Sequence, residues 1–336
     1  MKVLVVSSYP PRHCGIGAYA RAQVERMRER GDSVTVLSAP DGDGDERAEL
    51  LGGAAFRRAR RLAPRFDRVI VHFQPRLYYP PRRAAAKVAT SLALLRLARA
   101  GNVELVVHEA DRPALWRPDY LLLASAFSSA RRVWFHTAAE RSALERDYRA
   151  RVRGALVPHT DGVRLAARAS RGDARRRLGL PEEGSVFLCA GFLHPGKGYE
   201  RAVRAFVTLG PPPDAALFVV GSVRDAVPAN LEYARRLREL CERTPRVTLV
   251  ESFVDDEAFD AWMDAADAVA LPYRRSWSSG ALARAQLHGT PAIVANVGGL
   301  QEQAGVDDVV FDTDDELAAA MARFLRARTA ADGARP

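Results

Sequence analysis

The chain has 336 residues, 48% of them hydrophobic, which fits a globular protein of two ordinary domains with ample core. Its 50 Lys and Arg outweigh 41 Asp and Glu to give a net charge of +9, a balance that suits nucleic acid, a membrane surface or an anionic small substrate. Aromatic and basic residues do not interleave as in RNA-binding segments, so nucleic acid is set aside and most Arg are read as solvated surface. Cys14, Cys189 and Cys241 are too far apart for a metal spacing, and an odd, sparse set fits a reducing cytoplasm. Met-Lys leads straight into a strand without a signal pattern, and no apolar run reaches membrane-spanning length. The expected location is therefore cytoplasmic, with peripheral membrane contact the less favoured reading.

In chain order, Lys2–Ser7 is an apolar run read as a buried strand. A loop to Gly17 carries Pro10, Pro11, Gly15 and Gly17; a helix from about Ala18 to Arg30 and a strand Val34–Ser38 follow. Gly15-Ile16-Gly17 lacks the third glycine of a dinucleotide fingerprint, so it reads as a turn that lets backbone approach a ligand, or as a plain structural turn. Arg57–Arg65 and Arg82–Arg99 are predicted helices; Arg68–His72, Val103–Val107, Arg132–Phe135 and Gly154–Val157 are predicted strands. His72, His108, His136 and His159 all fall at the ends of those strands. In a parallel sheet these ends share the ligand edge, so the four together point to a polar cleft; no two have helical ligand spacing, which argues against a metal.

Asp161–Glu183 is charged and irregular and holds the domain boundary. Ser185–Ala190 opens a second sheet and runs into the Gly-rich loop Gly191–Gly198, whose Lys197 reads either as a point countercharge for phosphate or as a solvated lysine on a turn. Ala216–Val220, Val247–Val250, Ala268–Leu271, Ala292–Ala295 and Val309–Phe311 are further strands. Tyr199–Val207, Leu231–Arg243, Asp256–Ala266 and Glu316–Arg328 are helices, with Phe259, Trp262 and Met263 as a core stripe. A short helix starts near Ser279-Gly280 and stops at Gly289. Its leading loop, Ser276–Gly280, would place backbone amides and a helix dipole where a phosphate binds. Asp41-Gly42-Asp43-Gly44-Asp45 and Asp312-Thr313-Asp314 lie in polar stretches and read as solvated loops. The fold class is α/β: Rossmann-like domains over residues 1–163 and 185–328, a linker 164–184, a tail 329–336, and strand ends facing a common cleft.

Several of these pieces, in this order, resemble the GT-B glycosyltransferases of family 4, a retaining, nucleotide-sugar-dependent group. They are Ser8-Tyr9-Pro10-Pro11 with Gly15-Ile16-Gly17-Ala18-Tyr19-Ala20, Gly191-Phe192-Leu193 through Lys197-Gly198, and Phe253 with the helix after it. Ala266-Asp267, Leu271-Pro272-Tyr273, Gly289-Thr290-Pro291-Ala292-Ile293-Val294 and Gly298-Gly299-Leu300-Gln301-Glu302 complete the set. The resemblance covers nearly the whole chain. It implies a GT-B fold and retaining transfer of a sugar from a UDP-, GDP- or dTDP-sugar to an acceptor hydroxyl of a small molecule, glycan or lipid-linked glycan, without metal or other cofactor. Under it Lys197 neutralises the diphosphate, backbone at Ser279, Gly280 and Ala281 holds phosphate or sugar oxygens, Phe253 lies by the base, and Gly15 and Gly17 approach the diphosphate. His108 matches the histidine that contacts the donor sugar, and Glu109 and Asp111 join it as catalytic candidates by proximity. Three features depart from the pattern. The paired glutamates fall on Ser276 and Arg284, the usual Arg after the phosphate-loop glycine is Phe192, and the closing cross-over helix is absent. Arg284 stands where a carboxylate would take the ribose hydroxyls; a guanidinium has no acceptor and would contribute little to ribose. Ser279-Gly280-Ala281-Leu282 fits a related variant of the helix start. The competing readings are an idle GT-B module that binds a sugar nucleotide or a partner protein, and a sugar-nucleotide epimerase on the same fold.

Overall fold

The computed structural model describes residues 1–81, 83–110, 112–114, 116–165 and 168–332, the last six by backbone alone. The chain divides into two compact units, Met1–Arg164 and the remainder from Leu165.

In the first unit strands and helices alternate: β1 (Lys2–Val6), α1 (Gly15–Glu29), β2 (Ser33–Ser38), β3 (Glu46–Arg47), α2 (Ala54–Leu62), β4 (Arg68–Phe73), α3 (Pro75–Tyr78), α4 (Ala84–Ala98), β5 (Val103–Val107), α5 (Pro118–Ser129), β6 (Arg132–Phe135), α6 (Ala138–Tyr148) and β7 (Gly154–Leu156). The sheet runs β3-β2-β1-β4-β5-β6-β7, all parallel among the described pairs. Parallel strands covered on both faces need continuous apolar runs, and Val3 to Val6 are fully buried. Helices α5 and α6 are absent from the sequence reading, although both carry start signals. Pro118 opens α5 at a position that needs no amide donor. Thr137 caps Glu140 N while the Glu140 carboxylate returns to Thr137 N, a capping box, at the head of α6. Helix α1 begins at Gly15, three residues before the predicted start, so Gly15 and Gly17 form its first turn rather than a loop ahead of it.

The second unit contains α7 (Arg171–Leu178), β8 (Ser185–Ala190), α8 (Tyr199–Thr208), β9 (Ala215–Gly221), α9 (Pro228–Glu242), β10 (Val247–Glu251), α10 (Asp256–Ala265), β11 (Ala268–Leu271), α11 (Gly280–His288), β12 (Ala292–Ala295), α12 (Leu300–Gln303), β13 (Val309–Phe311) and α13 (Asp314–Asp332). Its parallel sheet runs β10-β9-β8-β11-β12-β13, the order of a doubly wound nucleotide-binding sheet. The polar tail expected from residue 329 continues helix α13 to Asp332. The order reverses between β8 and β11 here, and between β1 and β4 in the first unit; ligands of open α/β sheets bind outside the strand ends at such reversals.

The stretch expected as an irregular linker, 164–184, holds helix α7, which packs on α10. Ser170 caps it through Asp173 N, and Gly179 ends it in the left-handed region. Arg175 on this helix is fully buried. Its guanidinium donates to Ala265 O, Glu182 O and Gly184 O and pairs with Asp267 at 2.7 Å. Asp267 in turn accepts from Val186 N at the start of β8. A charge run that looks solvated in sequence thus closes the base of the second sheet.

Arg175→Met should lower the stability of the second unit by about 3–5 kcal/mol, because Asp267 and three carbonyls lose a buried donor set. Urea unfolding followed by hydrogen exchange in β8 and β11 measures it; a loss below about 1 kcal/mol would make the network decorative.

Candidate functional site

The second unit builds an anion-friendly corner at its sheet reversal. The loop after β8 carries Lys197, and the loop after β11 leads from Tyr273 to the N-terminus of α11. The Lys197 ammonium sits 3.7 Å from the centroid of the Tyr273 ring, a cation–π contact. The buried Tyr273 hydroxyl meets Ser279 Oγ at 3.3 Å. One side chain therefore bridges the lysine and the head of the helix. The two loops also lock together by backbone, since Arg274 N donates to Gly196 O at 2.9 Å. Gly198, at φ 59°, is required here: a Cβ would stand 2.4 Å from Pro272 O.

Two neighbouring cations already have carboxylate partners. Arg274 pairs with Glu200 at 2.7 Å and Arg201 with Asp314 at 2.6 Å. Among the described residues no carboxylate pairs with Lys197. Ser279 accepts from Leu282 N as the N-cap of α11. Its own amide, expected to face a ligand, is bound to Gln303 Oε1 at 2.8 Å, and Gln303 Nε2 returns to Ser279 O at 2.7 Å. That correction narrows the expected donor set to the amides of exposed Gly280 and half-buried Ala281, which lie in the first turn and have no intrahelical acceptor. Phe253 follows β10 at the sheet edge, 43% exposed. Phe192, in the lysine loop, lies under the Arg224 guanidinium, 5.3 Å from its carbon.

Arg284 is not presented to a ligand at the helix head. It is buried and turned toward α10, where it pairs with Asp256 at 2.8 Å and with Asp260. One turn further along α11, buried His288 lies between Asp260 at 3.0 Å and Asp264 at 2.7 Å. Arg284 and His288, spaced four apart on α11, thus face carboxylates spaced four apart on α10. Burial opposes charge on His288, but the two carboxylates outweigh it and raise its pKa above the usual histidine value.

In the first unit the four strand-end histidines do not line an open cleft. They pack around Tyr19 of α1, with ring centroids 5.5 Å (His72), 4.9 Å (His108), 5.3 Å (His136) and 5.5 Å (His159) away. Gly162 makes room for that phenol: a Cβ there would stand 1.7 Å from a ring carbon. His72 Nδ1 and His108 Nε2 are 3.0 Å apart. His136 Nδ1 meets Val157 O at 3.1 Å. Tyr19 Oη, His136 Nε2 and His159 Nδ1 are buried without a partner. No three His, Cys, Asp or Glu among the described residues are placed to hold a metal ion. Burial, then the neighbouring His136, lowers the His72 pKa to about 3; burial lowers that of His136 to about 4, and the pKa values of His108 and His159 also fall well below the ordinary value. Exposed Glu109, the next residue after His108, accepts from Gln74 at 3.0 Å. Asp111 lies outside the described residues. Gly15, exposed, and Gly17, buried, form the head of α1, which has no acidic residue in its first turn and no side-chain cap.

Residues 184–327 match the family described as Glycosyl transferases group 1. A D-inositol 3-phosphate glycosyltransferase of Xylanimonas cellulosilytica is 35% identical over 163 residues, 48% of this chain and 38% of the relative. One from Streptomyces avermitilis is 30% identical over 253 residues, 72% of this chain and 53% of the relative. The chain thus spans about half or less of these relatives' length. By fold, a sucrose-phosphate synthase from Thermosynechococcus elongatus superposes with TM-score 0.72 at 18% identity, covering 97% of this chain and 90% of that one. Anabaena HepE in complex with UDP-glucose gives 0.69 at 18% identity, covering 98% and 91%. The chain has the GT-B fold, and its second unit resembles the group 1 glycosyl transferases. The two parallel α/β sheets follow the sequence expectation. The Tyr19 cluster, the Gln303 clamp and the Arg284 pairing do not, and no local pattern announces them, because each joins residues remote in sequence. No helix among the described residues is long and apolar enough to cross a membrane.

Two predictions follow from these charges. The histidine cluster binds protons in the unfolded chain, near pH 6.5, far more readily than in the fold, so stability it supports above that pH is lost as pH falls. His72 and His136 each contribute about 1.4 kcal/mol per pH unit below about pH 6. His288 has the opposite sign: its contribution is full below pH 6.5 and is lost as pH rises through its raised value. Hydrogen exchange between pH 5 and 8 should therefore show protection of β4–β7 falling with acid while that of α11 holds or rises; parallel slopes in both units would refute this. Separately, Arg284→Glu should lower the melting temperature, since it sets a third carboxylate against Asp256 and Asp260; an unchanged melting temperature would show that the pairing carries no weight.

Proposed function

We propose that the protein transfers a sugar from a nucleotide-sugar donor to an acceptor hydroxyl with retention at the anomeric carbon. The observation that carries this reading is the corner at the second sheet reversal, where an unneutralised Lys197 is bridged by Tyr273 to the head of α11. In the proposed reaction the bond from the sugar C1 to the diphosphate oxygen breaks and the acceptor oxygen bonds to C1. The acceptor proton passes to the departing diphosphate. Negative charge grows on the leaving group, and a fixed ammonium with the Gly280 and Ala281 amides would favour that state over the ground state. Phe253 would lie against the base. In the first unit, the head of α1 at Gly15 and Gly17 would supply further amides, and His108 would contact the reacting sugar. Neither step draws on a metal ion or other cofactor in this reading.

UDP-glucose in the HepE complex and the group 1 family match support a nucleotide-sugar donor. The relatives' names make D-inositol 3-phosphate the first acceptor to assay. Arg284, held by Asp256 and Asp260, supports the expectation that ribose hydroxyls gain nothing from it.

A thermal-shift panel of UDP-, GDP-, dTDP- and ADP-sugars should find one stabilising donor, and calorimetry should then show Lys197→Ala weakening it. The expected loss is tenfold to a hundredfold, about 1.5–3 kcal/mol for a charge-assisted contact. The free nucleoside should bind both proteins equally. Donor affinity and turnover unchanged in Lys197→Ala would overturn the assignment.

A further inference from the structure

The orientation of His108 is set by a chain of contacts that reaches back to α1. His72, fully buried on β4, points its two ring nitrogens at two different partners. Nε2 meets the Gln23 carboxamide oxygen at 3.2 Å, and Nδ1 meets His108 Nε2 at 3.0 Å. A carboxamide oxygen only accepts, so the proton on His72 sits on Nε2. A neutral imidazole has one N–H, so His72 Nδ1 is a bare lone pair and accepts. The proton between the rings therefore belongs to His108 Nε2, and the neutral His108 ring is left with an unprotonated Nδ1. Both rings stay neutral because burial, reinforced by neighbouring histidines, disfavours their charged forms. The rest of His108 is held as well: its amide donates to Phe73 O at 2.9 Å, its ring lies nearly parallel to that of His72 with centroids 5.3 Å apart, and the Tyr19 ring lies roughly perpendicular to it at 4.9 Å. Among the described residues Nδ1 has no hydrogen-bond partner, and His108 as a residue is half-buried.

We propose that Gln23 and His72 are positioning residues that hold His108 in its Nε2–H tautomer, so that His108 Nδ1 accepts a hydrogen bond from a hydroxyl of the bound sugar. The consequence is a specificity. A sugar hydroxyl donates to this lone pair, whereas a carboxylate in its place would set one acceptor against another. Donors bearing a neutral hexose are taken, and uronic-acid donors are refused. This rests on the reading of His108 at the sugar, but the tautomer assignment does not.

Histidine-labelled protein examined by long-range nitrogen–proton NMR reads each ring directly. The expected result at pH 7 is a pyrrole-type Nε2 and a pyridine-type Nδ1 for both His72 and His108. Gln23→Glu keeps an acceptor at the same reach and should retain the pattern. Gln23→Leu removes it and should give mixed tautomers, with kcat for the hexose donor down about tenfold and KM little changed. Amide spectra of both variants check that the fold persists. A protonated Nδ1 on His108 in the wild type overturns the relay, whatever turnover does. The stated tautomer with turnover unmoved in Gln23→Leu leaves the relay standing and removes His108 from the sugar. A uronic-acid donor turned over as fast as its hexose counterpart overturns the specificity.

Discussion

Parallel pairing is the constraint on which the rest of this protein depends. Every described strand pair is parallel, so all strand ends of a sheet fall on one edge and every loop that follows a strand is delivered there. Where the strand order reverses, two such loops diverge and leave room for a ligand. In the second unit these are the loops carrying Lys197 and Ser279; in the first, the head of α1 and the end of β4. Chemistry is thereby concentrated by topology, before any single side chain is considered.

Charge placement then separates structure from function. The chain is rich in Arg, yet the cations near the second reversal are mostly committed: Arg274 to Glu200, Arg201 to Asp314, Arg284 to Asp256 and Asp260. Arg175, deeper still, ties α7 to the sheet through Asp267. Lys197 is held instead by an aromatic face, which orients the ammonium without neutralising it. A cation kept in that way retains its charge for an anion. The same economy appears at α11, where Gln303 takes the Ser279 amide and the Ser279 hydroxyl takes that of Leu282.

The histidines of the two units are shifted in opposite directions because their burial is solved differently. Around Tyr19 four imidazoles share a cluster in which no carboxylate among the described residues pairs with them, so the neutral form is favoured. Between α10 and α11 one imidazole lies between two buried carboxylates, so the charged form is favoured. Burial alone does not predict the sign; the partner does.

Much of the fold was legible in the sequence. Apolar runs between glycine and proline punctuation located most strands within a residue or two, and glycine stops marked the ends of helices such as α11. The loops that follow β8 and β11 were legible for the same reason, since glycine content and helix starts are local properties. Helices α5 and α6 escaped because their starts rest on one Pro and one capping pair rather than on a strong apolar period. The four histidines could be assigned to one sheet edge, but not to one another. Their packing around Tyr19, and the direction of the proton between His72 and His108, depend on Gln23 and Tyr19 reaching the edge from a helix some fifty residues or more away in sequence. Arg175 looked like solvated charge for the same reason: its partners Ala265 and Asp267 lie about ninety residues further on. Period and punctuation are written along the chain and determine the elements; which polar atoms lose water, and what replaces it, is decided only where distant elements meet.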